Sequence, residues 1–309
     1  MTKKEKCACI RSKLAKDLED VHIQKIKELK ISEIDAKRKA IFYWKKWKQT
    51  QIFLKYLMVI LFTPKKINKD YLTDANSNGE VLGAGVFGIC SKKTYRGVTV
   101  TVKEFKENVS LSLVTHEASV LAKMEHPGSL PLLFGCCTET KPYIIVTQFH
   151  GIEGHCVTFK SLVLRNISDP QSEWCRIMCE CVDALYYIHS KEYLHNDLKG
   201  DNVIINEKSN SLHTVIIDFG KCSTIAGGKL YHLSPRDQEK YRKYHEHIAP
   251  EVVRGTHPPS TASDIYAFGL LLSLLCKNKP YEPLRELAFA CINGSPEKRP
   301  STQHLVAEL

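Results

Sequence analysis

The side chains of this 309-residue chain whose types and spacing best suit catalysis lie in three short stretches. The stretch "HNDLKGDN" contains Asp197, Lys199 and Asn202. "VIIDFG" places Asp218 at the end of an apolar run, and "VTVK" ends in Lys103. Phosphoryl transfer needs a carboxylate beside the attacking hydroxyl, oxygen ligands for Mg²⁺ and a cation for the developing charge. The three stretches supply these residue types, so the pattern indicates phosphoryl-transfer chemistry.

A glycine-rich stretch, "LGAGVFGIC", precedes them, with Gly83, Gly85 and Gly88 in the spacing G-x-G-x-x-G. Glycine allows backbone N–H groups to approach a phosphate closely. A dinucleotide-binding fold uses the same spacing but opens a helix directly after it, whereas here a strand-like run leads to Lys103. Further along, Glu117 lies in a helical pattern, from which its carboxylate can hold that lysine. We therefore predict a phosphate-binding loop followed by a lysine on a strand.

Two kinds of secondary structure are predicted to position these groups. Short β-type runs ("TYRGVTVTVKEF" and "KPYIIVTQF") flank a helical pattern around "SLVTHEASVLAKM". After about residue 160 helical patterns dominate, in "SEWCRIMCECVDALYYIHS" and "SDIYAFGLLLSLLC". Strands followed by helices predict an α+β protein with two lobes of different secondary structure.

Together these motifs make residues 74–309 resemble a eukaryotic protein kinase domain, with a texture similar to the tyrosine-kinase-like branch. The motifs occur in the order of that family, which is the Gly-rich loop, the "VTVK" lysine, Glu117, "HNDLKGDN", "DFG", "APE" at 249–251, Asp264 and Arg299. The resemblance implies a bilobal protein-kinase fold, with a small β-rich N-lobe at about 74–150 and a helical C-lobe at about 151–309. It also implies ATP and Mg²⁺ as cofactors and a protein as substrate.

The resemblance further implies roles for individual residues. The catalytic residues are Asp197, Lys199, Lys103 and Glu117, and the metal ligands are Asn202 and Asp218. The ATP-binding residues are Leu82, Gly83, Ala84, Gly85, Gly88, Cys90, Thr101, Lys103, Thr147, Gln148, Phe149, His150 and Ile204. Thr147 corresponds to the gatekeeper, the next three residues to the hinge that reads adenine, and Ile204 to the floor below it. A buried ion pair between Glu251 and Arg299 is expected to tie the activation segment to the C-lobe.

The catalytic loop also bears on the hydroxyl that receives the phosphate. From Asp197 to Asn202 it reads D-L-K-x-x-N, the form usual in kinases of Ser/Thr type, whereas tyrosine-specific members usually carry an alanine and an arginine there. We predict an ATP-dependent protein kinase that transfers the γ-phosphate of Mg-ATP to a protein hydroxyl of Ser or Thr, with tyrosine left open.

Several positions depart from the family pattern. Asn196 replaces the usual arginine that pairs with a phosphorylated activation-segment residue, so we expect activity without that phosphorylation. Cys90 and Thr101 replace the usual valine and alanine above adenine, so we expect weakened ATP binding. Tyr244 stands where Ser/Thr kinases usually have a threonine that supports the catalytic carboxylate.

The C-lobe is also short, since Asp264 and Arg299 are only 35 residues apart. The departures leave an alternative open, a pseudokinase scaffold that binds nucleotide or partners without turnover. A third reading makes the N-terminal helix the main functional part of the chain. Every residue that performs the chemistry is present, and this favours an active kinase because each such group contributes strongly to the rate.

The N-terminal part differs from the rest in composition. Residues 1–70 contain 19 Lys and Arg against 8 Asp and Glu, and so account for the formal charge of +10. The first proline is Pro64, and the unbroken Lys, Glu, Leu and Ile before it predict a basic α-helical extension over 1–63, followed by a linker at 64–73. Its aromatic and apolar second half suits packing on the domain or on a partner helix, or an anionic membrane surface. We expect no nucleic acid partner, because no base-reading motif accompanies the lysines.

The N-terminus "MTKKEKCACIRSK" lacks the apolar core of a signal peptide. We therefore expect a cytoplasmic protein, with a peripheral position at a membrane left open. In a reducing compartment the 12 cysteines are expected to be free thiols.

Overall fold

The computed structural model describes residues 65–74, 80–124, 128–165, 171–208, 211–278 and 282–309. The predicted helical extension over 1–63 lies outside the described residues, so the partner helix and the membrane surface expected for it stay predictions. Within the described ranges, no helix is both long and apolar enough to cross a membrane. Nine cysteines of the described ranges are free thiols, as expected; they are Cys90, Cys136, Cys137, Cys156, Cys175, Cys179, Cys181, Cys222 and Cys291.

The N-lobe is built on a six-stranded antiparallel sheet. Its strands are β1 (Leu72–Asp74), β2 (Glu80–Ala84), β3 (Gly88–Tyr95), β4 (Val98–Phe105), β5 (Leu133–Cys137) and β6 (Ile144–Gln148). The order is β1-β3-β4-β6-β5, and β2 also pairs with β3. Val100 and Val102 of β4 are buried in a small apolar cluster on one side of the sheet. Because side chains alternate along a strand, Thr101 and Lys103 lie on the opposite face.

Helix α1 (Leu111–Lys123) packs against β5 and β6 of this sheet. Val114, Ala118 and Leu121 are buried, and their spacing places them on one face of the helix. Glu117 lies next to this stripe and is itself only 4% exposed. The amphipathic pattern that docks the helix therefore also turns the carboxylate of Glu117 inward.

The C-lobe is helical, as the sequence predicts. Its helices are α2 (Phe159–Leu164), α3 (Gln171–Ser190), α4 (Pro235–Tyr244), α5 (Pro250–Val253), α6 (Thr261–Asn278), α7 (Glu282–Cys291) and α8 (Thr302–Glu308). The core of this lobe includes Leu185 and Ile188 of α3 and Phe268 and Leu272 of α6, all fully buried.

Two small sheets position the loops that carry the candidate chemistry. Strands β7 (Val157–Thr158), β9 (Val203–Lys208) and β10 (Ser211–Ile216) form one antiparallel sheet. Strands β8 (Tyr193–Leu194) and β11 (Ser223–Thr224) form the other. The loop 195–202 lies between β8 and β9, and Asp218 follows β10. Because Val203 of β9 pairs with Ile216 of β10, Asn202 and Asp218 lie at the same end of this strand pair.

The predicted α+β, two-lobed fold is confirmed in the described residues. The short C-lobe is visible as well, since α6 ends at Asn278 and α7 begins at Glu282.

Candidate active site

Lys103 joins the two lobes through two carboxylates. Its Nζ lies 2.8 and 2.9 Å from the two carboxylate oxygens of Glu117 and 2.8 Å from Oδ1 of Asp218. Strand β4 supplies the lysine, helix α1 the glutamate, and the segment after β10 the aspartate. The ion pair expected between Lys103 and Glu117 is therefore present, and Asp218 completes a three-residue cluster.

The charges of this cluster are set by burial and by mutual attraction. Burial opposes the charge of Lys103, but Glu117 and Asp218 outweigh it and raise the pKa of the lysine. Burial raises the pKa of Glu117. For Asp218 burial acts in the same sense, but the attraction of Lys103 outweighs it and the pKa is lowered. The lysine therefore remains cationic at neutral pH.

The segment after β10 is held in place by the packing of a buried ring and by a hydrogen bond to helix α1. Asp218 has a left-handed backbone, with φ of 66°, which is uncommon for a residue other than glycine. The next residue, Phe219, is fully buried, and its ring meets that of His195 edge-on at 5.4 Å. His116 of α1 contacts the carbonyl oxygen of Cys222 through Nε2 at 2.7 Å. These contacts fasten the segment to both lobes.

The catalytic loop is anchored from below by Asp264, at the start of α6. The backbone N–H groups of His195 and Asn196 each donate to its carboxylate at 2.8 Å, and His189 Nε2 lies 3.0 Å away. Burial opposes the charge of Asp264, but these partners outweigh it and lower its pKa. The anchor holds Asn196 in a left-handed conformation, with φ of 63°, and so fixes the direction of the loop.

Asp197 is buried and accepts four hydrogen bonds. Oδ2 accepts from Lys199 and from Asn202, each at 3.0 Å. Oδ1 accepts from Lys221 at 2.6 Å and from His247 at 2.9 Å. Burial raises the pKa of this carboxyl, but the hydrogen bonds from His247 and Lys221 and the charges of Lys221 and Lys199 outweigh burial and lower it well below its usual range. Asp197 is therefore an anion at neutral pH.

Asn202 and Asp218 suit the metal ligation implied by the resemblance. The amide nitrogen of Asn202 donates to the backbone oxygen and to the carboxylate of Asp197, which fixes the side chain and leaves its oxygen as an acceptor. Asp218 uses one carboxylate oxygen for Lys103. Amide and carboxylate oxygens are the ligands that Mg²⁺ prefers. The donor set therefore fits the ion, and the role itself stays a prediction.

The predicted roof of the nucleotide site forms one face of the sheet. In the registers of the sheet, Cys90 pairs with Lys103 and Thr101 pairs with Thr147. Directly opposed residues of an antiparallel pair lie on the same face, as do residues two apart on one strand. The four side chains therefore share a face. Burial raises the pKa of Cys90 to about 11, so this position carries a neutral thiol.

The Gly-rich loop connects β2 and β3. The N–H of Gly85 donates to the carbonyl oxygen of Gly88 at 2.8 Å, which closes the tip of the loop. A Cβ at Gly88 would lie 2.2 Å from the backbone oxygen of Glu104, so packing alone excludes a side chain there. Gly83 has nothing within 4 Å of such a Cβ, and Gly85 has only loop backbone near that limit. Their surroundings leave room for a ligand.

The remaining predicted ATP-binding residues are found in the loop, the hinge and the C-lobe. Leu82 is half-buried, Ala84, Gly85 and Gln148 are exposed, Phe149 is half-buried, and His150 and Ile204 are buried. The hinge end is tied to β9, because the N–H of Gly151 donates to the side chain of Asn206 at 3.1 Å. Burial lowers the pKa of His150 to about 4, which keeps this imidazole neutral.

Asn196 replaces the family's usual arginine with a short, uncharged contact. Its side-chain Nδ2 donates to the carbonyl oxygen of Lys221 at 3.0 Å and to the hydroxyl of Ser223 at 2.9 Å. The loop 195–202 thus contacts the segment that follows "DFG" directly.

Sequence reasoning missed two residues of the site, Lys221 and His247. Both contact Asp197, one from the start and one from the end of the activation segment. Lys221 directly follows "DFG", and His247 lies two residues before the alanine of "APE". Their positions beside two recognised motifs were the available signal.

The expected ion pair between Glu251 and Arg299 is present and bidentate, with N–O distances of 2.6 and 2.8 Å. Their side chains are 2% and 0% exposed. Arg299 also donates to the backbone oxygens of Ala262 and Asn293. These bonds join the end of the activation segment to α6 and to the loop before α8.

Comparison with known proteins agrees with this geometry. The protein kinase domain family matches residues 77–290. A probable serine/threonine-protein kinase of Dictyostelium discoideum is 29% identical over 209 residues, covering 64% of this chain and 37% of the relative. The tyrosine-protein kinase Fer of Mus musculus is 32% identical over 232 residues, covering 72% of this chain and 26% of the relative. The dual specificity protein kinase shkD of D. discoideum is 27% identical and covers 74% of this chain and 34% of the relative.

The family match spans well over half of the sequence, so the chain belongs to the protein kinase family. The resemblance inferred from the motifs is thereby confirmed. The chain spans only 37% or less of the length of the three relatives named above. By name, these relatives are a serine/threonine kinase, a tyrosine kinase and a dual specificity kinase.

Proposed function

We propose that this chain is an active protein kinase, which transfers the γ-phosphate of Mg-ATP to a Ser or Thr hydroxyl of a protein. The observation that carries the proposal is the assembled cluster of Lys103, Glu117 and Asp218 beside the buried carboxylate of Asp197. In a resting or degraded site these charged groups need not meet. Here the side chains come from three separate elements and lie within hydrogen-bonding distance of their partners.

Each residue has a definite task in this proposal. Lys103 binds the non-transferred phosphates, and Glu117 keeps its ammonium on the sheet face that forms the roof. Asp197 orients the attacking hydroxyl and accepts its proton, while Lys199 balances charge on the transferred group. Asn202 and Asp218 hold Mg²⁺, which when bound neutralises phosphate charge.

Two arguments support Ser or Thr as the acceptor. The loop from Asp197 to Asn202 has the form usual in Ser/Thr kinases, including Lys199, which contacts the catalytic carboxylate at 3.0 Å. Two relatives named as serine/threonine kinases cover 64% and 67% of this chain. The tyrosine-kinase relative is the reason to test the acceptor directly.

We also propose that activity does not require phosphorylation of the activation segment. Asn196 already contacts Ser223 and the backbone of Lys221, and Asp197 already contacts Lys221 and His247. In most relatives an arginine and a phosphate would bring these segments together. In this chain the contacts of Asn196 and Lys221 connect the same two segments without a phosphate group.

The competing function, a pseudokinase scaffold, is favoured by one observation. All four acceptor positions of the Asp197 carboxylate are occupied by side chains of the protein itself, so a substrate hydroxyl must displace one of them. Lys221 is the candidate for displacement, since its side chain is 43% exposed and that of His247 only 11%.

The full chain incubated with labelled Mg-ATP and generic Ser/Thr and Tyr substrates tests the proposal. We expect label on serine or threonine, and no label with Asp197→Asn as the matched control. Label on tyrosine alone would overturn the predicted acceptor and leave the kinase activity standing. Folded protein that binds Mg-ATP but transfers no label would establish the scaffold function.

A further inference from the structure

The residue expected to support the catalytic carboxylate does not reach it. In the Ser/Thr pattern a threonine five residues before the alanine of "APE" makes this contact, and here the position is Tyr244. Its side chain lies at the end of α4 and the residue is 67% exposed.

His247, three residues later, makes the contact. Its Nε2 lies 2.9 Å from Oδ1 of Asp197, and its side chain is 11% exposed. Because a carboxylate anion only accepts hydrogen bonds, Nε2 must carry the hydrogen. The imidazole ring thereby fixes Oδ1 of Asp197, whereas Lys199 and Asn202 bind Oδ2.

The backbone around His247 explains why it points inward. Helix α4 ends at Tyr244, and the N–H of His245 donates to the carbonyl oxygen of Tyr241 at 2.8 Å. The N–H of Ile248 then donates to the carbonyl oxygen of His245 at 2.9 Å, which closes a tight turn around His247. The ring of His247 also meets that of His245 edge-on at 6.0 Å. Two turns and a ring contact hold the imidazole in a fixed direction.

Lys221 shares Oδ1 but differs in character. It is a long side chain that is 43% exposed, and it lies at the start of the segment next to the "DFG" motif. A flexible, hydrated ammonium can exchange with a substrate hydroxyl, whereas a buried imidazole on a tight turn cannot move without the turn. Of the two donors to Oδ1, Lys221 is therefore the exchangeable one and His247 the permanent one.

We propose that His247 is a positioning residue for phosphoryl transfer, which takes over the part of the missing threonine by fixing the catalytic carboxylate of Asp197. This inference rests on the proposed kinase activity. Misplacing a catalytic group by a fraction of an ångström to one ångström slows the chemical step strongly without altering the binding of a distant ligand group. Substitution of His247 should therefore lower kcat and leave the KM for Mg-ATP unchanged.

Three variants of the full chain test this. His247→Leu removes the donor and is expected to lower kcat by about 10- to 100-fold. His247→Gln retains an N–H donor of similar reach and should recover most of that loss, to within about threefold of the wild type. Tyr244→Phe, at the exposed neighbouring position, is the matched control and should behave as the wild type. Equal activity of all variants, or a Gln variant no better than Leu, would overturn the proposal.

A second measurement does not depend on turnover. The free energies of unfolding of the wild type, His247→Leu, Asp197→Asn and the double variant form a double-mutant cycle. We expect the effect of His247→Leu to shrink in the Asp197→Asn background, since the charged acceptor is then already lost. Additive effects would show that the two side chains are not coupled and would overturn the proposal. If the two substitutions are coupled but the wild type transfers no phosphate, the contact between His247 and Asp197 is supported and the proposed kinase activity is contradicted.

Discussion

Arg299→Leu is expected to destabilise the domain strongly, because it would leave a buried carboxylate without a partner. Glu251 and Arg299 are 2% and 0% exposed in their side chains, and their two short bonds satisfy both carboxylate oxygens. Removing one member of a buried ion pair typically costs about 3–5 kcal/mol. Arg299 also serves two backbone carbonyl groups, so we expect the upper part of that range.

This cost is large against the usual stability of a domain, which is about 5–15 kcal/mol. For a domain of this size, each kcal/mol shifts the melting temperature by about 2–4 °C, so a loss of about 4–5 kcal/mol should lower it by roughly 8–20 °C. Urea unfolding followed by circular dichroism measures the free energy, and a thermal scan measures the shift. Because Glu251 follows the activation segment, phosphate transfer by Arg299→Leu should fail at lower temperatures than that of the wild type.

Two control variants separate loss of the ion pair from loss of packing. Glu251→Gln together with Arg299→Leu removes the stranded charge and should recover part of the lost stability. Arg299→Lys keeps a positive charge but cannot bind both oxygens in the plane of a guanidinium, so it should fall between the wild type and Arg299→Leu. A loss below about 1 kcal/mol for Arg299→Leu would refute the reasoning, because such values are typical of exposed pairs.

The remaining predictions concern the nucleotide site, the hinge and the activation segment. Replacing Cys90 with Val and Thr101 with Ala restores an apolar roof and should tighten Mg-ATP binding about 3- to 10-fold by calorimetric titration, and unchanged affinity would contradict the weakened binding. His150 has a folded pKa of about 4, below its unfolded value of about 6.5, so its contribution to stability is complete above pH 6.5 and falls on acidification. The loss at pH 5 should be about 2 kcal/mol, and the urea unfolding of His150→Phe should depend less on pH than that of the wild type. Activity should survive when five hydroxyls of the activation segment are removed together without loss of the fold, at Thr224, Tyr231, Ser234, Tyr241 and Tyr244; Ser223 is kept because Asn196 donates to its hydroxyl. Loss of activity in this variant would contradict activity without phosphorylation of the segment.

Much of the fold and of the candidate site could be predicted, because the motifs are local and their order is specific. Lys103 on a strand and Glu117 on a helix follow from periodicity, and their ion pair follows from the resemblance. The Glu251–Arg299 pair was predicted in the same way. These predictions needed only the identity of the residues and the type of the elements that carry them.

The environment of Asp197 could not be predicted, because it depends on where a long loop returns. Lys221 and His247 are separated by 26 residues in the sequence, and a helix, α4, lies between them. Only the turn after this helix directs His247 inward and leaves Tyr244 exposed. The sequence shows that Tyr244 occupies the position of the usual threonine, but the path of the backbone decides which residue contacts Asp197 instead.

The most direct test of the central claim compares the full-length wild type with Asp197→Asn in a single-turnover reaction with labelled Mg-ATP, after equal nucleotide binding has been established for both. The assembled site predicts transfer by the wild type, and a loss of at least about 100-fold in Asp197→Asn with binding unchanged. Equal nucleotide binding without transfer in either protein would contradict the claim, and would show that this site holds nucleotide but does not catalyse.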